Sequence, residues 1–517
     1  MLGLALPVPV QFQAVWPATL CRGAQAASGR GRAGMNILYI VKSLSVVEPQ
    51  GAMQISAMTR AAGHAGQLAV IDELDIPARI DELGIDLVAM SLMSTEARAF
   101  REAAQAIKDH RPDLPIVAGG PHPTYFPTIA RDWPIDAAII GEGDQAMLDV
   151  VEAWEQGCGF DHIPNVHTRE SQNPPRALVE DLDTLPWVDR ELVAGFEPFR
   201  SVPMKSFMAT RGCPYGCAYC FNNAYKSLYR GLGKMVRRRS VENLVQEIEA
   251  VKAAYPLSFV RFGDDVFVAK DDAWLEEFVA KYKERVGLPF YCLIRPNLVS
   301  EAIVGKLRDA GCHSVAISLE SGNEDLRRTV LNRAIDDQTM LKAYDILRSH
   351  GLKIFSNAML GLPESTIEDD LRSLEMTFRL KPTYASFTVF TPFPGTELHR
   401  LCVDKGYVEG EFDENTYPES TFQSSSLNSV SDKDRRVHRN ILMLGALANS
   451  APWLRSLIFK RLIYWRPNPL FAVFGFFVRN MLQRKVWPFR LPPWRALRLA
   501  WRVYRIDRRN YRKRGVA

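Results

Sequence analysis

The sequence predicts an α/β protein: a doubly wound, Rossmann-like parallel sheet, then a partial (β/α)6 barrel, then a helical C-terminal tail. Three observations predict it. From Met35 onward short apolar runs alternate with amphipathic stretches, as parallel strands joined by crossover helices require. The alternation restarts with a longer repeat beyond a Pro- and acid-rich interval over 160–203. Finally, 47% hydrophobic and 24% charged residues supply enough apolar surface for large cores. The length allows roughly three or four ordinary domains.

Residues 1–34 are rich in Ala, Gly and Pro, and carry Arg22, Arg30 and Arg32 without an acid. A signal peptide places its positive charge before the apolar stretch, and here the charge follows it. The expectation is a leader or a start assigned too early, with Met35 the natural start. The first domain covers 35–159, with strands over 36–41, 67–71, 86–91, 115–118 and 137–140. Helices over 52–62, 96–110 and 145–155 lie among them. Doubly wound sheets bind ligands in the loops after their strand C-termini. Those loops are Ser91-Leu92-Met93-Ser94-Thr95, Gly119-Gly120-Pro121-His122-Pro123 and Gly141-Glu142-Gly143-Asp144. Their candidate binding residues are Ser94, Thr95, Gly119, Gly120 and Glu142. Glycine allows close backbone approach to a ligand, although tight βα turns of any function use it too.

A linker is expected over 160–203, and the barrel over 204–410 with strands at 206–210, 259–262, 290–294, 314–319, 353–358 and 385–390. The clearest helix is 241–255, where Val241, Leu244, Val245, Ile248 and Val251 repeat at helical spacing behind Ser240 as N-cap. Barrels of this kind place their chemistry at the strand C-terminal ends. Residues 411–450 read as a polar, serine-rich linker, and 451–517 as a basic aromatic tail. Seventeen Lys and Arg face one acid, Asp507, in that tail, so +16 of charge sits there and −11 elsewhere, against +5 for the whole chain.

The first barrel strand runs into Arg211-Gly212-Cys213-Pro214-Tyr215-Gly216-Cys217-Ala218-Tyr219-Cys220. Closely spaced thiolates in a Gly/Pro loop hold iron–sulfur clusters, and three of them leave one iron of a [4Fe–4S] cube open to an outside ligand. A structural zinc site would want a second knuckle, which is missing. Eight cysteines in 517 residues are too sparse for a disulfide framework, and reduced thiols with an oxygen-sensitive cluster point to the cytoplasm. Cys292 and Cys312 fall in barrel strands, where core packing is the default.

The C-x3-C-x2-C spacing, with Tyr219 before the last cysteine, resembles the radical S-adenosylmethionine (SAM) superfamily. Further strings at successive strand ends resemble it too. Gly263-Asp264-Asp265 matches the place of a motif at the SAM amino group, Glu320-Ser321-Gly322 an element near SAM, and Gly361-Leu362-Pro363-Glu364 the adenine-side segment. Arg295 ends the third strand and could grip a carboxylate with two donors. Pro49-Gln50-Gly51-Ala52, Gly119-Gly120-Pro121-His122 and Gly141-Glu142-Gly143 are similar to the cobalamin-binding domain that precedes the barrel in one radical SAM class. Together the resemblance spans about 35 to 401. The D-x-H-x-x-G signature that gives cobalt a histidine is missing, so no lower ligand is named, and His122 and His64 read as loop or surface histidines.

The resemblance implies a cobalamin-dependent radical SAM methyltransferase acting on an unactivated carbon, with a [4Fe–4S] cluster held by Cys213, Cys217 and Cys220, SAM and cobalamin as cofactors. It also implies a flavodoxin or ferredoxin as electron donor. A rival is a non-methylating enzyme of the same class, such as an oxidative ring cyclase. A second rival is a cobalamin-binding regulator without catalysis, which leaves the thiolates idle. A tRNA methylthiotransferase would want an upstream three-cysteine set, and none is present. In the tail, Trp453, Trp465, Trp487, Trp494 and Trp501 interleave with arginines around an apolar run, 470–478, far too short to span a bilayer. This pattern fits an element lying on an anionic membrane surface and a small-molecule or lipid substrate. A helical cap on the barrel is the plain alternative. Nucleic acid is disfavoured by so many large apolar residues.

Overall fold

The computed structural model describes residues 34–501 apart from 45–46, 411–413, 415–416, 419, 423, 490, 493, 496–497 and 499–500. The expectations for 1–33 and 502–517 lie outside the described residues. The chain divides into two compact units: one runs to Phe199 and takes in Leu228–Lys234, and the other holds Arg200–Ser227 and the chain from Met235.

The first unit is built on β1 (Asn36–Val41), β2 (Ala65–Val70), β3 (Leu87–Ser91), β4 (Ile116–Gly119), β5 (Ala137–Ile139) and β6 (Val166–His167). Their order is β2-β1-β3-β4-β5-β6, and only β6 runs antiparallel to its neighbour. The order reverses between β1 and β3, which opens a ligand crevice at the C-terminal ends of those strands. Ile37, Tyr39, Leu68, Val70, Leu87 and Val117 fill its core with Met53, Met147 and Val150 from the helices. Buried on both faces, these strands read as continuous apolar runs.

The interval 160–203 is not a linker. It supplies β6, and Phe160, Ile163, Val166, Leu192, Val193 and Phe199 join the core of the sheet. Its acids are anchors: Asp189 accepts from Ser56 (2.8 Å) and Arg60 (3.0 Å), and Arg190 pairs with buried Glu48 at 3.0 Å. Pro and acidic residues without a helical or strand period hid this packing from the sequence.

In the second unit β7 (Met204–Phe207) is followed by a short antiparallel pair, β8 (Thr210–Arg211) with β9 (Arg237–Arg238). Then come β10 (Phe259–Phe262), β11 (Phe290–Leu293), β12 (Cys312–Ala316), β13 (Lys353–Leu360) and β14 (Tyr384–Val389). The order β14-β13-β12-β11-β10-β7 is sequential, parallel and open at both edges, as a partial barrel requires. The Val241–Ala254 helix starts as expected, with Ser240 accepting the N–H of Asn243. Cys292 and Cys312 are buried in this core.

The 411–450 interval also departs from the linker reading. Ser431 caps a helix over Asp432–Ser450, and Val437, Ile441, Leu444 and Ala448 bury one stripe of it in the barrel core. Its first turn is polar because helix N-termini favour such residues, which made the start resemble a linker. A Cβ on Gly445 would lie 2.5 Å from the Phe387 ring, so the helix sits hard against β14. The run 470–478 belongs to a longer helix, Pro469–Val486, whose Gly475 would bring a Cβ within 2.3 Å of the Met443 carbonyl. Ile458 and Ile463 are core residues, so the tail is in part the cap of the plain alternative.

Candidate active site

The cysteine loop leaves β8 through Gly212, which has φ +84° and would place a Cβ 2.1 Å from the Met235 carbonyl oxygen. Only glycine fits there. One segment, Leu331–Arg333, holds the loop from beneath. Ala218 N–H donates to the Leu331 carbonyl (3.0 Å), and Asn332 Nδ2 donates to that of Gly216 (2.7 Å). Lys226 Nζ donates to the Tyr215 carbonyl.

Cys217 is buried, while Cys213 and Cys220 are half-buried. Burial, then the Asp265 charge and the other thiols, push the Cys220 thiol up to about 11, and burial raises Cys213 as well. Each of these two thiols feels Cys217, so the three share one neighbourhood. Among the described residues no three His, Cys, Asp or Glu side chains meet closely enough to hold a single metal ion.

Two arginines converge on Cys217. Arg295 Nη1 donates to its Sγ at 3.7 Å, with the guanidinium stacked 3.7 Å from the Tyr215 ring centroid. Arg333 bonds the same sulfur and donates to the Ser318 carbonyl at 3.0 Å. Burial works against the Arg333 charge, but Tyr219, Glu320 and Cys217 hold it protonated. Both are nearly buried and each keeps its Nε without a hydrogen bond among the described residues. Such pairs offset thiolate charge in a low-dielectric site.

Glu320 accepts the Tyr219 hydroxyl at 3.0 Å and has φ +65°, a strained backbone for a non-glycine residue. Burial and then the Glu320 charge drive the Tyr219 phenol far up. Ser321 is buried and its Oγ accepts the Asn323 N–H. Gly361 begins the loop after β13 with φ +64°. Asp265 is exposed beside Gly263. Asp264 departs from expectation: fully buried, its Oδ1 accepts the N–H groups of Ala209 (2.9 Å) and Thr210 (2.5 Å) and the Thr210 hydroxyl (2.7 Å). Its carboxylate braces the backbone that enters the cysteine loop. Burial raises it to about 6 against those hydrogen bonds.

In the first unit the strand-end loops are tied to one another. Gly120 (φ +104°) would push a Cβ to 2.9 Å from the Leu92 carbonyl, so the second loop lies directly on the first. Ser94 Oγ and His122 Nδ1 share a 3.1 Å hydrogen bond, and Thr124 Oγ1 accepts the Gly141 N–H at 3.0 Å. His122 is no surface residue. It is 1% exposed, packs on the rings of Phe126 and Trp133, and burial pushes it down to about 3. His64 lies at the start of β1 and β2, where Nδ1 accepts the Met35 N–H at 3.1 Å, away from the strand-end loops. Ser94 is buried, whereas Thr95, Gly119, Gly120 and Glu142 are half-exposed.

Two functional neighbours carried no sequence signal. Arg333 lies after a short helix and answers to no motif considered in the sequence. Tyr229 was assigned with the barrel, yet Leu228–Lys234 belongs to the first unit. Its hydroxyl accepts the N–H of Glu142 (2.7 Å) and the amide of Asn165 (3.3 Å), fixing the third loop.

Residues 208–376 match the Radical SAM superfamily and residues 37–151 the B12 binding domain. An uncharacterized methyltransferase of Pyrococcus horikoshii is 25% identical over 370 residues, 69% of this chain and 78% of that one. The anaerobic magnesium-protoporphyrin IX monomethyl ester cyclase of Rubrivivax gelatinosus is 24% identical over 65% of this chain and 61% of its own. The hopanoid C-3 methylase of Methylococcus capsulatus is 24% identical over 70% of each. Among solved structures, the cobalamin-dependent SAM radical enzyme OxsB, with aqua-cobalamin and SAM bound, shares the fold. Its TM-score is 0.62 at 12% identity, covering 88% of this chain and 72% of that one. A cobalamin-type sheet followed by a thiolate-bearing partial barrel defines the class. The chain belongs to the cobalamin-binding radical SAM superfamily and is an enzyme of its methyltransferase-like group, which works with a [4Fe–4S] cluster, SAM and cobalamin.

Proposed function

We propose that this enzyme methylates an unactivated carbon of a lipophilic small molecule. The observation that carries the reading is the thiol loop, three cysteines in one neighbourhood with two guanidinium groups on Cys217. In this reading Cys213, Cys217 and Cys220 hold the cluster, and Arg295 and Arg333 offset its negative charge. Gly263 and Asp265 receive the amino end of SAM, with Asp264 bracing the loop. Tyr219, Glu320 and Ser321 shape the middle of that site and Gly361 its adenine side. Ser94, Thr95, Gly119, Gly120 and Glu142 would cradle cobalamin, and the chain carries no D-x-H-x-x-G histidine for cobalt. When bound, these groups would supply reductive SAM cleavage and a transferable methyl group. A low-potential flavodoxin or ferredoxin in the cytoplasm would supply electrons.

The C-terminal helices support the lipophilic substrate. Among the described residues no helix is long and apolar enough to cross a membrane. The Pro469–Val486 helix instead exposes Leu470 (78%), Phe474, Phe477 and Met481 on one stripe at helical spacing, and Trp453 (80%), Leu457 and Trp465 are exposed in the segment before it. Its other side, Gly475, Phe476, Val478 and Leu482, is buried. An apolar stripe flanked by the exposed Arg484 and Lys485 suits an anionic membrane interface, at roughly 1 kcal/mol per basic residue near the surface. The hopanoid methylase relative agrees with a lipid substrate.

The direct test is the product mass formed anaerobically from a lipid extract with methyl-labelled SAM. A labelled methyl in a lipid supports the reading. An unlabelled product with altered oxygen or hydrogen content would favour a cyclase, the activity named for the Rubrivivax relative. Iron-loaded protein that cleaves no SAM would favour a regulator. Full-length protein should float with anionic liposomes, and an F474E/F477E variant, changed only on the exposed stripe, should not. Flotation surviving high salt would mark apolar insertion, since charge alone is screened.

A further inference from the structure

We infer that His438, on the C-terminal Asp432–Ser450 helix, is a positioning residue for the SAM-side loop Gly361–Glu364. The inference rests on the reading of that loop as the adenine side of the SAM site. Gly361 sits in the left-handed region with φ +64°, and its N–H donates to both carboxylate oxygens of Asp370 at 3.1 Å. Asp370 is 3% exposed, and burial raises its carboxyl against the opposing pull of His438. His438, 2% exposed, meets Asp370 Oδ2 through Nε2 at 2.6 Å. The same imidazole is packed on the loop itself, for a Cβ on Gly361 would lie 3.0 Å from its Cε1.

These contacts make a relay of imidazole, carboxylate and backbone amide that ends on the loop. A buried carboxylate without a partner is costly, so Asp370 can hold Gly361 only while His438 holds Asp370. The ring adds steric support on the other side of the turn. Its Nδ1 has no hydrogen-bond partner among the described residues, so the bond to Asp370 and the packing on Gly361 set the ring orientation. A one-sided anchor of this kind is what a positioning role requires, and the packing of the helix elsewhere does not. The stripe Val437, Ile441, Leu444 and Ala448, with Asn449 Nδ2 donating to the Pro382 carbonyl at 3.0 Å, already fixes the helix to the barrel. The His438–Asp370 pair is therefore spare as a fastening and specific as a link to Gly361.

The experiment compares cluster- and cobalamin-loaded wild type, H438A, H438Q and G361A. SAM affinity is read by equilibrium dialysis, and KM for SAM and kcat by release of 5′-deoxyadenosine. In H438A the dissociation constant and KM for SAM should rise about tenfold, the scale of one buried charge-assisted hydrogen bond, with kcat and iron content close to wild type. H438Q keeps a donor for Asp370 and should recover most of the affinity. G361A, which drives a methyl into the imidazole, should mimic H438A. An H438A protein that folds, loads iron and binds SAM like wild type overturns the inference, as does a lowered melting temperature with KM unchanged. Equal KM in H438Q and H438A overturns it as well. Wild-type protein that loads iron yet binds no SAM would instead overturn the underlying reading of the SAM site.

Discussion

The two units use the same parallel-sheet logic but fix their candidate binding loops with different polar groups. In the sheet unit the strand-end loops are fixed largely by neutral partners: Ser94 with His122, Thr124 with Gly141, Tyr229 with Glu142 and Asn165. In the barrel unit the matching loops are fixed by ionisable groups. Asp264 braces Ala209 and Thr210, Arg295 and Arg333 meet Cys217, and Tyr219 meets Glu320. A loop that cradles a large cofactor through backbone approach needs shape, which neutral hydrogen bonds supply. A loop that must hold thiolates needs compensating charge, because burying an anion alone is prohibitive.

The largest expected effect would break the barrel's site and spare the sheet. Changing Cys213, Cys217 or Cys220 to Ala should abolish SAM cleavage and remove most of about four irons per chain. Cobalamin retention, read from the visible spectrum, should persist in all three. Loss of cobalamin in the same variants would show that the two sites are not separable.

Next come two glycines, one per unit. A Cβ on Gly322 would meet the Arg372 carbonyl oxygen at 2.4 Å and Ser373 N at 2.5 Å, both backbone atoms. A Cβ on Gly141 would meet the Tyr229 hydroxyl at 2.0 Å, at a φ of +71°. Backbone yields less than a side chain, so G322A should destabilise its unit by about 3 kcal/mol or more in chemical denaturation, and G141A by about 2 kcal/mol. In G141A the damage should appear first as weakened cobalamin binding, since Tyr229 holds the Glu142 amide. A G141A protein with unchanged cobalamin affinity would separate Tyr229 from the site.

The smallest effect concerns pH, where the units should diverge in sign. His122 is depressed to about 3, so the unfolded chain takes up its proton first. The sheet unit therefore loses stability as pH falls from about 6.5 towards 3. Asp264 is raised to about 6, so the folded barrel takes up the proton first, and that unit loses stability as pH rises from about 4 to 6. D264N, which keeps an oxygen for the three donors, should flatten the second dependence. Melting curves at several pH values on H122A and D264N would check both signs.

Much of this was legible in the chain. The thiolate spacing depends on a few neighbouring residues, and so does the Ser240 cap that the structure shows accepting the Asn243 N–H. The strand runs were legible because burial on both faces leaves a continuous apolar signature. Less was legible where packing is irregular. The 160–203 interval joins the sheet core through scattered residues such as Phe160, Ile163 and Phe199, which follow no period. The helix over Asp432–Ser450 was hidden by its polar first turn, although Val437, Ile441 and Leu444 carry the period.

By itself the sequence determined the two-sheet architecture and the three cysteines after the first barrel strand, because periodicity and close spacing are local properties of the chain. Only the tertiary structure decided that Asp264 braces backbone, that Arg333 and Arg295 share Cys217, that Tyr229 serves the sheet, and that His438 reaches Gly361 through Asp370. Apart from Asp370 and Gly361, those partners lie from 54 to 116 residues apart, Asp264 with Thr210 at one end and Arg333 with Cys217 at the other. Hydrogen bonds and ion pairs act over a few ångströms, and no local pattern records which distant residues folding will bring within that reach.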